Sequence, residues 1–122
     1  MKILIIDDSV FAQQYVRKAI ANKYPDAEFL FAGTGELGYE AYTAHKPDYV
    51  ITDLLMPGLG GQALIERIRK VDTECKIIVI SSDIQKAVKD EVRSLGVTCF
   101  INKPLNQEKA DMLNNILGGI VC

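Results

Sequence analysis

Four apolar runs of this chain end in groups that can do chemistry. Asp7 and Asp8 follow Lys2-Ile3-Leu4-Ile5-Ile6, and Asp53 follows Tyr49-Val50-Ile51-Thr52. Ser81 follows Lys76-Ile77-Ile78-Val79-Ile80, and Lys103 follows Thr98-Cys99-Phe100-Ile101-Asn102. The runs are rich in β-branched residues and read as strands, so each polar group stands at a strand's carboxyl end. Open α/β sheets bind ligands along that edge. Two or three carboxylates crowded there repel one another unless a cation lies between them. Oxygen donors in that number suit Mg2+, which keeps several waters and binds through one or two carboxylates plus phosphate oxygens. A lysine and a hydroxyl facing the same cluster would neutralise and hydrogen-bond a phosphoryl group. The pattern points to a site that holds a metal and an anion together.

The elements that must position these groups alternate strand and helix. Strands are expected over residues 2–6, 28–32, 49–53, 76–80 and 98–102, the second less buried than the others. A first helix, capped by Ser9 or Asp8, runs to about residue 23, with Ala12, Tyr15, Val16, Ala19 and Ile20 facing inward. A second, weakened by Gly38, spans residues 36–45. A third follows the loop Gly58-Leu59-Gly60-Gly61 with Leu64, Ile65 and Ile68 inward. A fourth carries Ile84, Ala87, Val88, Glu91, Val92 and Leu95 at three- and four-residue steps. A last one starts at Asn106 with the stripe Ala110, Leu113, Leu117 and Ile120. Five strands alternating with five helices imply an α/β fold, a parallel sheet covered on both faces.

Composition narrows the function. The 122 residues suffice for one domain, with 48% hydrophobic and 25% charged residues. A net charge of −2 without a basic block argues against nucleic-acid binding. No apolar run reaches membrane-spanning length. Cys75, Cys99 and Cys122 are an odd number without metal spacing, which suits a reducing cytoplasm better than a disulfide framework. Cys75 and Cys99 read as packing residues and Cys122 as a free thiol. His45, the only histidine, has no metal or catalytic partner in view.

The ordered set of Asp7-Asp8, Asp53 with Met56-Pro57 and Gly61 downstream, Ser81, and Lys103-Pro104 resembles the receiver domain of bacterial two-component response regulators. The resemblance covers essentially all of residues 1–122 and includes single-domain members of the family. It implies a flavodoxin-like three-layer sandwich with strand order 2-1-3-4-5. It also implies that Asp53 accepts a phosphoryl group from a histidine kinase or phosphotransfer protein. Asp8, Asp53 and the main-chain carbonyl of Leu55 would hold Mg2+, with Asp7 supporting them. Ser81 would bond one phosphoryl oxygen and Lys103 another, the Lys103–Pro104 bond being cis in the family. Phe100 matches the aromatic switch position without a tyrosine's hydroxyl. A downstream protein would read the face of the fourth helix, fifth strand and fifth helix. The resemblance thus implies a cytoplasmic regulator, monomeric or weakly dimeric, that assists its own phosphorylation and dephosphorylation without being an enzyme.

Three alternatives compete, one being a flavodoxin-like cofactor module, which should show a Thr/Ser/Gly phosphate loop after strand one where this chain shows acids. A haloacid dehalogenase-type phosphatase also forms an aspartyl phosphate on an α/β sheet, but it places Asp-x-Asp after strand one, where this chain has Asp7-Asp8-Ser9. A receiver-like scaffold that is never phosphorylated would have lost key residues, and none is lost. Before any ligand arrives, Lys103 is expected to be solvated at its strand end.

Overall fold

In a parallel sheet covered on both faces, successive residues of a strand serve opposite layers. Strand β1 (Lys2–Ile6) sends Ile3 and Ile5 into one layer and Leu4 and Ile6 into the other, all of them fully buried. Strands β3 (Tyr49–Thr52), β4 (Lys76–Ser81) and β5 (Cys99–Asn102) repeat the alternation. Ile78 and Ile80 join the first layer, and Ile77 and Val79 the second. In β2 (Glu28–Ala32) only Ala32 is buried, as an edge strand permits.

The computed structural model describes residues 1–82 and 85–120. Its sheet has the order β2-β1-β3-β4-β5 with every pair parallel, the order the resemblance implied. Helices α1 (Val10–Ala21) and α5 (Gln107–Leu117) cover one face. Helices α2 (Gly35–His45), α3 (Gly61–Val71) and α4 (Lys86–Ser94) cover the other. No helix among the described residues is long and apolar enough to cross a membrane.

The starts of α1, α2 and α5 follow capping chemistry. Ser9 Oγ accepts from the Ala12 N–H at 3.2 Å, Thr34 Oγ1 from Leu37 at 3.1 Å, and Asn106 Oδ1 from Lys109 at 2.9 Å. Gly38, which weakens α2 as a helix, is a packing device: a Cβ there would meet Ile6 Cδ1 at 2.7 Å. Its absence lets α2 lie close on β1.

Several details depart from the sequence reading. On α1 the buried residues are Gln13, Val16 and Ile20, while Tyr15 is 45% exposed. Gln13 is tolerated inside because its amide donates to the Asp7 carbonyl at 2.8 Å and the Ala32 carbonyl at 3.3 Å. Strand β3 ends one residue early, so Asp53 opens the following loop. On α4 only Val92 is buried and Ala87 is exposed; Ile84 lies outside the described residues. Ile120 falls beyond α5 and is 61% exposed. Cys75 is a buried free thiol, pushed up to about 11 by desolvation. Cys99 is buried in the core, as expected of a packing residue. Cys122 lies outside the described residues.

Candidate functional site

The sheet register assembles the site. β1 and β3 are neighbours with Ile6 opposite Thr52, so Asp7 and Asp53 leave the sheet side by side. The Asp53 N–H donates to the Ile6 carbonyl at 3.0 Å. β4 and β5 pair Ser81 with Asn102, and the Lys103 N–H donates to the Ser81 carbonyl at 3.0 Å. Four strand ends thus deliver a carboxylate, a second carboxylate, a hydroxyl and an ammonium to one edge.

The side chains meet there. Lys103 Nζ lies 2.7 Å from Asp7 Oδ2 and 2.8 Å from Asp53 Oδ2. Ser81 Oγ donates to Asp53 Oδ1 at 2.5 Å, and the Leu55 N–H donates to the same oxygen at 3.0 Å. Asp7 Oδ1 accepts from the Ser9 N–H at 2.9 Å. Asp7 and Asp53 are buried, whereas Asp8 is exposed at the rim. One carboxylate oxygen from each of Asp7, Asp8 and Asp53 falls within 4.8 Å of the others.

Burial alone would push the Asp53 carboxyl up. Hydrogen bonds from Lys103, Ser81 and the Leu55 N–H outweigh it and hold the group below the ordinary carboxylate value. Burial likewise pulls the Lys103 ammonium down, and its bonds to Asp53 and Asp7 reverse this and raise it. Asp53 is therefore a carboxylate near neutrality, and Lys103 is charged. This corrects the expectation that Lys103 is solvated: its side chain is 24% exposed and tied to two acids. The crowding of Asp7 and Asp53 makes the lysine's own strand end the nearest source of a compensating charge. The Lys103–Pro104 peptide is cis, as the resemblance implied.

The donor set fits a hard divalent cation. It consists of carboxylate oxygens alone, and one ammonium serves two of the three acids. The Leu55 side chain is 65% exposed while its N–H is bound into the site. Beside Lys103 a cavity of about 500 Å³, lined by Phe11, Tyr15, Pro104 and Leu105 among others, gives the site an apolar flank.

Phe100 sits apart from this cluster. It is half-buried against the layer formed with α2, α3 and α4. The Lys89 ammonium and the Arg93 guanidinium each lie 5.4 Å from its ring centroid, within cation–π range. Sequence reasoning missed two residues near the site. Gln13 lies on the α1 stripe three residues before Val16, a spacing that could have exposed it. Glu36, which bonds the loop after β3, left no signal, since its partner is a main-chain N–H 23 residues away.

Comparison with known proteins agrees with this geometry. The family model described as "Response regulator receiver domain" matches residues 3–114. The chain is 34% identical over 119 residues to the chemotaxis protein CheY of Thermotoga maritima, covering 94% of this chain and 96% of that protein. It is 30% identical over 108 residues to CheY of Bacillus subtilis, covering 88% and 89% of the two chains. Among solved structures, the N-terminal domain of an uncharacterized Wolinella succinogenes protein superposes with a TM-score of 0.86 at 34% identity, covering 98% of this chain and 92% of that one. The response regulator domain of Thermotoga maritima CheB gives 0.86 at 26% identity, covering 98% and 94%. The strand-end acids, hydroxyl and lysine, the sheet order and these likenesses coincide, and the chain belongs to the response regulator receiver domain family.

Proposed function

We propose that residues 1–122 form one receiver domain that acts as a phosphoacceptor switch, with Asp53 taking a phosphoryl group from a phosphohistidine of a partner kinase or phosphotransfer protein. One observation carries this reading. The Asp53 carboxylate has a hydroxyl on one oxygen and an ammonium on the other, and it lies beside two further acids. A buried carboxylate held ionised in that way is a nucleophile that needs no general base.

In the transfer, an Asp53 oxygen forms the bond to phosphorus while the bond to the imidazole nitrogen breaks and the nitrogen keeps its electron pair. Such transfers depend on in-line positioning and charge neutralisation. Asp7, Asp8, Asp53 and the Leu55 carbonyl would hold Mg2+, which when bound neutralises charge on the phosphoryl oxygens. Lys103 releases its carboxylates to pair with one phosphoryl oxygen, and Ser81 turns its hydroxyl to another. Hydrogen bonds involving charged groups contribute about 1.5–3 kcal/mol each. Lys103 and Ser81 give up bonds to Asp7 and Asp53 to make the new ones, so only the difference counts toward the roughly 5.5 kcal/mol that inverts a two-state equilibrium.

Those movements pull on β4 and β5, and we assign the output to the α4, β5 and α5 face, with Phe100 repacking between Lys89 and Arg93. A partner protein reads that face. In this reading the chain is a cytoplasmic regulator, a monomer or weak dimer, and assists its own phosphorylation and dephosphorylation rather than turning over a substrate.

The test is intact mass after incubation with acetyl phosphate and Mg2+. The mass should rise by about one phosphoryl group. No rise at any Mg2+ concentration would refute the reading. Amide-shift mapping with a beryllofluoride mimic tests the output: changes confined to the loops around Asp8 and Asp53, with none over residues 86–117, would refute that route.

A further inference from the structure

We infer that Glu36, in the first turn of α2, is a positioning residue for the loop after β3, and through it for the Leu55 carbonyl. The inference rests on the proposed function, which assigns that carbonyl to Mg2+. The loop is well held where it leaves the sheet: the Leu55 N–H binds Asp53 Oδ1, and the Gly61 N–H binds the Leu54 carbonyl at 3.1 Å. Between these anchors run Met56, Pro57, Gly58, Leu59 and Gly60. Two glycines give that stretch more backbone freedom than ordinary residues would, and its proline offers no N–H to tie it down.

Glu36 supplies the tie. Its Oε1 accepts from the Leu59 N–H at 2.5 Å, a charge-assisted bond from helix to loop. Backbone and loop are shaped to each other at this contact. Gly58 has φ 72°, and a Cβ on it would meet the Glu36 carboxylate at 2.9 Å. A Cβ on Gly35 would lie 2.0 Å from the Leu59 carbonyl oxygen. The Leu59 side chain packs into the layer beneath α2 and α3. The Leu59 N–H, then Glu36's own backbone N–H, hold the Glu36 carboxyl below its ordinary value, with Thr34 and the charge of Arg67 on α3 adding to them.

Glu36 is exposed, and exposed charged contacts contribute little to global stability. Its effect is therefore local. Without it, the loop samples arrangements in which the Leu55 carbonyl is misplaced, and apparent affinity falls with the competent fraction.

The experiment compares wild type, Glu36→Ala and Glu36→Gln by Mg2+ titration of tyrosine fluorescence and by amide exchange of the metal-free protein. Glu36→Ala should bind Mg2+ about three- to tenfold more weakly. Its Leu55 and Leu59 amides should exchange several-fold faster without metal, with a melting temperature within about 2 °C of wild type. Glu36→Gln, whose amide oxygen still accepts, should recover most of both. Wild-type affinity in Glu36→Ala would overturn the inference, as would an affinity loss that tracks melting temperature and is not rescued by Gln. Asp8→Asn separates the causes of failure. If it weakens binding while Glu36→Ala does not, the Mg2+ site stands and Glu36 alone is wrongly assigned. If neither weakens binding, the site itself is wrong and the inference falls with it.

Discussion

At the amino-terminal edge of the sheet, carboxylates are met by donors of their own; at the carboxyl edge, two carboxylates share one ammonium. Before β4, Asp72 Oδ1 accepts from the N–H groups of Glu74 and Cys75 at 2.8 and 3.0 Å, and Oδ2 from the Tyr42 hydroxyl at 2.6 Å. Asp48 Oδ2 accepts from the Lys2 N–H at 2.8 Å. Arg69 spends its guanidinium on the carbonyls of Leu95, Asp72 and Gly96. These arrangements are closed, because the partners named are neutral backbone groups and one neutral hydroxyl. At the other edge Lys103 divides itself between Asp7 and Asp53 while Asp8 stands exposed. Under the proposed function, a set of that kind would respond to a divalent cation or a phosphoryl group, and a closed set would not. The same sheet thus carries a structural edge and a responsive one.

The largest expected effect comes from removing the proposed acceptor. Asp53→Asn should show no mass increase with acetyl phosphate and Mg2+ under conditions that label the wild type. Labelling of the variant to the same extent would move the acceptor elsewhere.

Next in size is Lys103→Met. It leaves two buried carboxylates without their cation, which should cost about 3 kcal/mol in urea unfolding without Mg2+. Millimolar Mg2+ should recover most of this, since a divalent ion replaces the lost charge. The pH dependence follows from the two shifts. Asp53 is lowered, so its contribution is present above its unfolded value near 3.8 and is lost as pH falls through the folded one. Lys103 is raised, so its contribution is present below 10.5 and is lost as pH rises through its folded value. Acidification should therefore destabilise wild type more than Lys103→Met. Equal acid limbs would mean that the ion pair does not set the Asp53 value.

Tyr42→Phe probes the closed edge. Losing the hydroxyl on Asp72 should cost about 1 kcal/mol, measured by thermal melting, with no dependence on Mg2+. A Mg2+-dependent cost would erase the distinction between the two edges. Smallest in stability is Asp8→Asn, expected within about 0.5 kcal/mol of wild type because the residue is exposed. It should nonetheless weaken Mg2+ binding, whereas Asp26→Asn, in the turn before β2, should leave binding unchanged. Coincident Mg2+ titrations for these two variants would argue against the acid cluster as the metal site.

The responsive edge was more legible in the sequence than its surroundings. Continuous apolar runs mark strands buried on both faces, and the residue ending each run is marked with it, so the sequence alone locates Asp7, Asp53, Ser81 and Lys103 at strand ends. The sheet order came from the family resemblance, because runs alone do not say which strands are neighbours. Helix faces were read less well. Tyr15, expected inside, is 45% exposed, and Gln13, which the stripe left out, is buried because hydrogen bonds to the Asp7 and Ala32 carbonyls make a buried glutamine tolerable. Ile120 fell off its stripe because α5 stops at Leu117. The ion pairs of Lys103 were missed because they join residues far apart in the chain, and periodicity is a local signal.

That separation has a further consequence. The bridge from Lys103 to Asp7 closes across 96 residues. Loop-closure entropy must be met before so distant a contact forms, although it grows only slowly with length. During synthesis the carboxylates on β1 and β3 emerge long before the lysine after β5. Until that strand is made, the acids have no access to their internal cation. The pocket thus acquires its resting charge balance only when the last strand of the sequence has joined the sheet that holds the first and third.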